Sequence, residues 1–152
     1  MKRVFIIHGW EFDPSMHWYP WLAHELQGQG VEVHVPKMPS TSKPEIKTWI
    51  AAIAKEVGTL DKDTCFVGHS IGCQAILRYL ETQSASCGKS VFVGGWFILS
   101  DEATPDDEYR RIAEPWLQQR IDFDKLKTNS YTAFLSEDDP IHRPLFRKRS
   151  HL

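Results

Sequence analysis

The pentapeptide Gly68-His69-Ser70-Ile71-Gly72 constrains this chain more than any other stretch. An apolar run ending at Val67 precedes it, and Ile71, Ala75, Ile76, Tyr79 and Leu80 follow at helical spacing. G-x-S-x-G between a strand and a helix describes a sharp turn with Ser at its apex. Glycine is needed on both sides because the backbone doubles back with no room for a Cβ. The helix beyond aims N–H groups and its positive dipole end at the Ser. Three fixed positions alone recur by chance, and the plain alternative is a strand–glycine turn–helix with an idle hydroxyl. The flanking strand and helix make Ser70 a candidate nucleophile.

The rest of the chain repeats the strand–helix alternation. Arg3 to Ile7 is a short apolar run closed by His8-Gly9, as expected of a strand buried on both faces. Trp18 to Gln27 reads as a helix, with Trp18, Leu22 and Leu26 four residues apart and Gly28 ending it. Val31 to Val35 is β-branched and alternating. Pro44 is expected to open a second helix, whose Ile46, Trp49, Ile50, Ile53 and Val57 share one face before Gly58. Lys89 to Val93 is the fourth strand, closed by Gly94-Gly95-Trp96, and Tyr131 to Leu135 the fifth. Between these two, Ser100 to Asp124 reads as polar and irregular, with short helical pieces near Tyr109–Ile112 and Glu114–Arg120. Such alternation implies right-handed βαβ units, a parallel sheet in the order 2-1-3-4-5 and helices on both faces, a three-layer α/β/α sandwich. Ligands of such sheets bind beyond the carboxyl ends of the strands. His8-Gly9-Trp10, Gly68–Gly72, Gly94-Gly95-Trp96 and Asp138-Asp139 all fall at that edge.

Composition removes several alternatives. With 152 residues and a formal net charge of −2, the chain suits one domain and offers no broad basic surface for nucleic acid. Three cysteines, Cys65, Cys73 and Cys87, give no disulfide framework and fit a reducing compartment. The N-terminal apolar run is too short for a signal peptide or membrane span, so the expected location is cytoplasmic. There is no H-E-x-x-H, no Cys pair at zinc spacing and no G-x-G-x-x-G, so neither a metal nor an organic cofactor is expected.

A Ser hydroxyl needs a base, and in this motif's fold a carboxylate and then a His follow it in the chain. Asp139, held extended by Pro140, is the preferred carboxylate, with Asp138 second. The oxyanion would take the backbone N–H of Ile71 and a second N–H from the loop after strand one, at Trp10. His8, Gly9, His69 and Trp96 are expected around the pocket, with the His69 ring turned away from the Ser70 hydroxyl.

At this point the sequence resembles the small α/β-hydrolases of the retinoblastoma-binding protein 9 / YdeN serine hydrolase family. The residues that carry the resemblance are His8-Gly9-Trp10, His17-Trp18-Tyr19-Pro20-Trp21-Leu22, Val35-Pro36-Lys37-Met38-Pro39, Val67 to Gly72, Arg78-Tyr79-Leu80-Glu81 and Asp138-Asp139-Pro140-Ile141. The resemblance implies a carboxylesterase-like hydrolase of small ester or peptide-like substrates, with Ser70 as nucleophile and Asp139 as the acid of the triad. It implies one domain over 1–141, with 98–124 capping the pocket. It also implies a helix, a last strand and a Gly-His after the Asp, and these are absent: His142 to Leu152 is a basic stretch carrying Arg143, Arg147, Lys148 and Arg149. Codon degeneracy allows a one-base shift to turn this stretch into Ile-Val-Pro-Phe-Ser-Glu-Asn-Ala-Val, so 142–152 reads as an aberrant tail, truncated or frameshifted. His142 and His151 lack the context of a triad base. The expectation is therefore a hydrolase impaired for want of its His. The alternative is an inactive relative that binds a protein partner or small ligand in the same pocket. Loss of a sixth strand would also bare the edge of strand five for a second copy of the chain.

Overall fold

The computed structural model describes residues 1–99, 104 and 106–136. Five strands, β1 (Arg3–Ile7), β2 (Glu32–His34), β3 (Thr64–His69), β4 (Lys89–Val93) and β5 (Tyr131–Phe134), form one sheet in the order β2-β1-β3-β4-β5, every pairing parallel. Four helices accompany it: α1 (Tyr19–Gly28), α2 (Ile46–Val57), α3 (Ile71–Glu81) and α4 (Asp107–Gln118), with a 3-10 turn at Phe123–Lys125. The expected sheet order and α/β architecture are what the chain adopts.

Strand alternation divides the core in two. Phe5 and Ile7 point to one face, where α2 and α3 bury Trp49, Ile53, Ala75, Ile76 and Leu80 against them. Val4 and Ile6 point to the other, where Tyr19, Leu22 and Leu26 of α1 cover them. The four residues Val4 to Ile7, in which both alternating sets are apolar and buried, can sit only between two layers. Helix α3 is buried from Ile71 to Leu80, so its amphipathic spacing is almost wholly absorbed by the sheet, α2 and the residues after β4. Strand β5 lies at the margin of the sheet, with Tyr131 and Phe134 exposed.

The segment between β4 and β5 departs from expectation. Its two helical pieces are one helix, α4, which runs through Pro115. Asp106 caps it, accepting from the N–H groups of Glu108 and Tyr109 at 2.8 and 3.0 Å. Pro115 leaves the Arg111 carbonyl without its helical donor. Burial of Ala113 and Trp116 against the core offsets that loss, and the Trp116 indole donates to the Pro44 carbonyl at 3.0 Å. Helix α2 also starts later than expected. Glu45 is extended at its N-cap, and Pro44 stands outside the helix because its carbonyl faces Trp116.

The glycines of the elbow are fixed by contact. A Cβ on Gly72 would lie 2.3 Å from the Ile7 carbonyl oxygen and 2.7 Å from that of His8. Gly28, at the end of α1, has nothing within 4 Å. Gly72→Ala is therefore expected to destabilise the chain by about 3 kcal/mol, the cost of overpacking against backbone. Gly28→Ala should be neutral or stabilising by up to ~1 kcal/mol through helix propensity. Chemical denaturation of the two variants measures both, and equal midpoints would mean that α3 does not dock on β1 this closely.

Candidate active site

Strand β3 ends at His69, and α3 begins at Ile71, leaving one residue for the reversal. Ser70 takes it with φ 53° and ψ −124°, a left-handed conformation that costs a non-glycine residue about 1–3 kcal/mol. The strain is held from several sides. The Ser70 N–H donates to the Val93 carbonyl at 3.0 Å, the Ser70 carbonyl accepts from Cys73 N–H at 3.0 Å, and Gly72 rests on the end of β1. A Cβ on Gly68 would come within 2.9 Å of the Cys73 backbone, so that glycine lets α3 fold back over its own strand. The result lifts the Ser70 side chain above the carboxyl ends of β1 and β3.

Gly9 brings the loop after β1 to this point. A Cβ there would lie 3.3 Å from Ser70 Cβ and 2.7 Å from the Phe12 ring. The Gly9 N–H is taken by the Tyr19 hydroxyl at 3.2 Å. The next N–H, that of Trp10, has no backbone acceptor among the described residues, and the Ile71 N–H opens α3 ahead of any helical acceptor. The Trp10 side chain is engaged elsewhere. Its indole donates to the Ser42 carbonyl at 3.1 Å, and its ring stacks on Tyr109 of α4 at 5.1 Å.

The residues expected around the pocket take three different places. Trp96 reaches Ser70: its indole N–H donates to Ser70 Oγ at 3.1 Å. His69 turns to the α1 face, stacked on Phe12 at 5.6 Å, with Nδ1 2.6 Å from the Tyr19 hydroxyl. His8 is fully buried at the end of β1, edge-on to Trp49. Its Nε2 accepts from the Met38 N–H at 3.0 Å, which leaves the ring proton on Nδ1, 2.9 Å from the Gly9 carbonyl oxygen. His8 thus ties the loop after β2 to the loop that carries Trp10. Asp138, Asp139, His142, His151 and the tail 142–152 lie outside the described residues.

Sequence reasoning passed over Gln74 and Arg78. Both are buried polar residues on an otherwise apolar helix, one turn apart, and that pairing was the available signal. Gln74 donates to the Trp96 carbonyl at 2.8 Å, and Arg78 donates to Gln74 Oε1 at 3.0 Å. Beside Trp96, an apolar cavity of about 430 Å³ is lined by residues that include Cys73, Gly95, Phe97, Leu126 and Leu135. Burial pushes the Cys73 thiol up to about 12, so it is no rival nucleophile. Among the described residues no cluster of His, Cys, Asp and Glu could hold a metal ion, and no helix is long and apolar enough to cross a membrane.

The strained Ser between β3 and α3, in a parallel sheet of this order, defines an α/β-hydrolase arrangement. The profile of the serine hydrolase family matches residues 4–149, and the chain belongs to that family. The putative hydrolase YdeN of Bacillus subtilis (strain 168) is 40% identical over 80 residues, covering 53% of this chain. That stretch spans 42% of the relative's length. The crystal structure of the B. subtilis ydeN gene product superposes with a TM-score of 0.82 at 30% identity, over 93% of this chain and 74% of that one. An extracellular α/β-hydrolase from a Paenibacillus species, described as sharing structural and functional homology with tobacco salicylic acid binding protein 2, gives a TM-score of 0.55. At 16% identity over 73% of this chain and 49% of that one, it shares the fold.

Burial holds the His8 imidazole below its usual pKa of 6.5; the hydrogen bond to Gly9 and the charge of Asp13 pull the other way. The unfolded chain therefore binds this proton at a higher pH than the folded one. The stability His8 contributes is present above about pH 6.5 and is lost as pH falls below it toward the folded value. His8→Gln, which keeps an acceptor for Met38, should flatten the stability–pH slope below pH 6.5 by up to about 1.4 kcal/mol per unit. Urea denaturation between pH 7 and 5 measures the slope, and identical slopes would show that His8 titrates normally.

Proposed function

We propose that this chain is a carboxylesterase-like serine hydrolase that acts on small ester or peptide-like substrates through an acyl-enzyme at Ser70. The observation that carries the reading is the Ser70 backbone, held at a positive φ between β3 and the N-terminus of α3. Strain of this kind persists only where the surroundings enforce it, and it gathers at reacting residues. In the proposed reaction Ser70 Oγ attacks the carbonyl carbon, and the oxyanion faces the N–H groups of Ile71 and Trp10. The hydroxyl proton passes to a base oriented by Asp139. The segment 98–124 forms the cap, as the stacking of Tyr109 on Trp10 supports. The expected carboxylate is Asp139, and the histidines that follow it in the given residues are His142 and His151.

If neither His142 nor His151 serves Ser70, the activity is weak, because loss of a triad base costs several orders of magnitude while oxyanion donors retain some catalysis. Stoichiometric labelling of Ser70 by a fluorophosphonate, read by intact mass and abolished in Ser70→Ala, is the expected result. An unlabelled wild type favours the second reading, an inactive relative that binds a small ligand or protein partner in this pocket. The feature in its favour is that, among the described residues, the side chain bonded to Ser70 Oγ is the Trp96 indole. The margin of β5, with Tyr131 and Phe134 exposed, would pair with a second copy. Sedimentation velocity should then show a dimer that Ala133→Pro, by removing an N–H that faces away from β4, dissociates; a monomer at all concentrations removes this interface.

A further inference from the structure

We infer that Trp96 is a hydrogen-bond donor to the nucleophile in the reaction itself, and that Gln74 and Arg78 are the positioning residues that hold it there. The inference rests on Ser70 being the nucleophile.

The geometry is a continuous buried chain. Gly94 turns at φ 57°, and Gly95 lies where a Cβ would meet Cys73 Cβ at 3.0 Å and Sγ at 3.2 Å. The two glycines fold the strand end back onto α3 and deliver Trp96 over the elbow, 3% exposed. Its indole N–H reaches Ser70 Oγ, and its backbone carbonyl is fixed by the Gln74 amide. The Gln74 amide is oriented in turn, because its oxygen accepts from Arg78. The same guanidinium nitrogen also donates to the Trp116 and Gln119 carbonyls, both at 2.8 Å. Those carbonyls belong to the C-terminal end of α4, where a cation is favoured by the helix dipole. Arg78 Nε and Nη1 are buried with no hydrogen-bond partner among the described residues, and Glu81 acts on the charge only at a distance. A guanidinium buried at that cost, with no carboxylate bound to it among the described residues, is a poor stability device. Besides tying the end of α4, it orients the Gln74 amide that holds the backbone from which the Trp96 indole reaches Ser70.

An N–H that points at Oγ weakly stabilises the neutral hydroxyl and strongly stabilises the oxygen once its proton leaves, because charge-assisted hydrogen bonds are about twice as strong. The donor therefore acts more in the transition state than in the ground state. The indole keeps its own proton throughout. With a fluorophosphonate, the Oγ–P bond forms, fluoride leaves, and the hydroxyl proton is released to solvent.

The test has two arms on the whole chain. In the first, ¹⁵N-labelled protein is examined for the Trp96 indole resonance, assigned by its absence in Trp96→Phe. The resonance is expected downfield in the wild type and displaced upfield in Ser70→Ala. Gln74→Met should displace it as well, and Arg78→Lys should leave it nearest the wild-type position. An indole signal unmoved by Ser70→Ala overturns the contact, and one unmoved by Gln74→Met overturns the positioning. In the second arm, Trp96→Phe is expected to slow fluorophosphonate labelling about tenfold at a temperature well below the unfolding of both proteins, where each is fully folded by circular dichroism. Equal labelling rates for wild type and Trp96→Phe overturn the role in the reaction. A wild type that does not label at all sinks the hydrolase reading, whereas the indole shift needs no probe and decides the positioning by itself.

Discussion

The approach of Gly72 to the last carbonyls of β1 is the contact on which the site depends. With a hypothetical Cβ only 2.3 Å from the Ile7 oxygen, α3 can dock this low over the sheet only because that Cβ is missing. Docking so close shortens the path from β3 to α3 to a single residue, and a one-residue reversal forces Ser70 out of the ordinary regions of backbone space. The strain at Ser70 is thus set by where the helix sits, and where the helix sits is set by burial of almost every α3 side chain from Ile71 to Leu80. The apolar residues of α3 supply the free energy that holds Ser70 in place.

A second set of restraints comes from the loops. His8 is expensive to bury, yet it joins Met38, Gly9 and Trp49 at the point where β1 becomes the loop beside Ser70. Tyr19 does similar work from α1, accepting from the Gly9 N–H while its hydroxyl meets His69. Both of the backbone groups that flank the nucleophile are therefore fixed by buried polar side chains rather than by strand pairing. Loops anchored in this way keep their N–H groups directed outward without closing them into the sheet, and pre-organised donors are what an oxyanion requires.

The sheet order was legible because β1, β3 and β4 are short apolar runs closed by glycine, and the carboxyl-end loops carry the residues with chemistry. The elbow was legible because two glycines and an apolar helix bracket one Ser. Helix α4 was not, because Pro115 reads locally as a break, whereas Asp106 at its start and Trp116 in the core outweigh one lost helical bond. The place of His8 was hidden for a similar reason. A His at a strand end looks like pocket chemistry, and only the position of Met38, thirty residues away in sequence, satisfies its ring. Trp96 was expected near the elbow but not as a donor, since the direction of its indole depends on the Gly94-Gly95 turn and on Gln74. Long-range polar pairing is the common element in these differences, and sequence periodicity carries no record of it.

The same pairing explains why α4 matters to a site it does not enter. Its C-terminal carbonyls are the acceptors that Arg78 needs, and its Trp116 indole grips Pro44 at the start of α2. Near its start, Tyr109 stacks on Trp10 and its hydroxyl donates to Glu11. One helix therefore touches both the loop that offers the Trp10 N–H and the guanidinium that orients Gln74 and Trp96. A shift of α4 along its axis would change the donors on two sides of Ser70 together, because each is held through a side chain that α4 contacts. Packing that links the two sides through one rigid element couples the Trp10 loop and the Trp96 turn, so substitutions in α4 that spare every residue next to Ser70 would still shift what surrounds it.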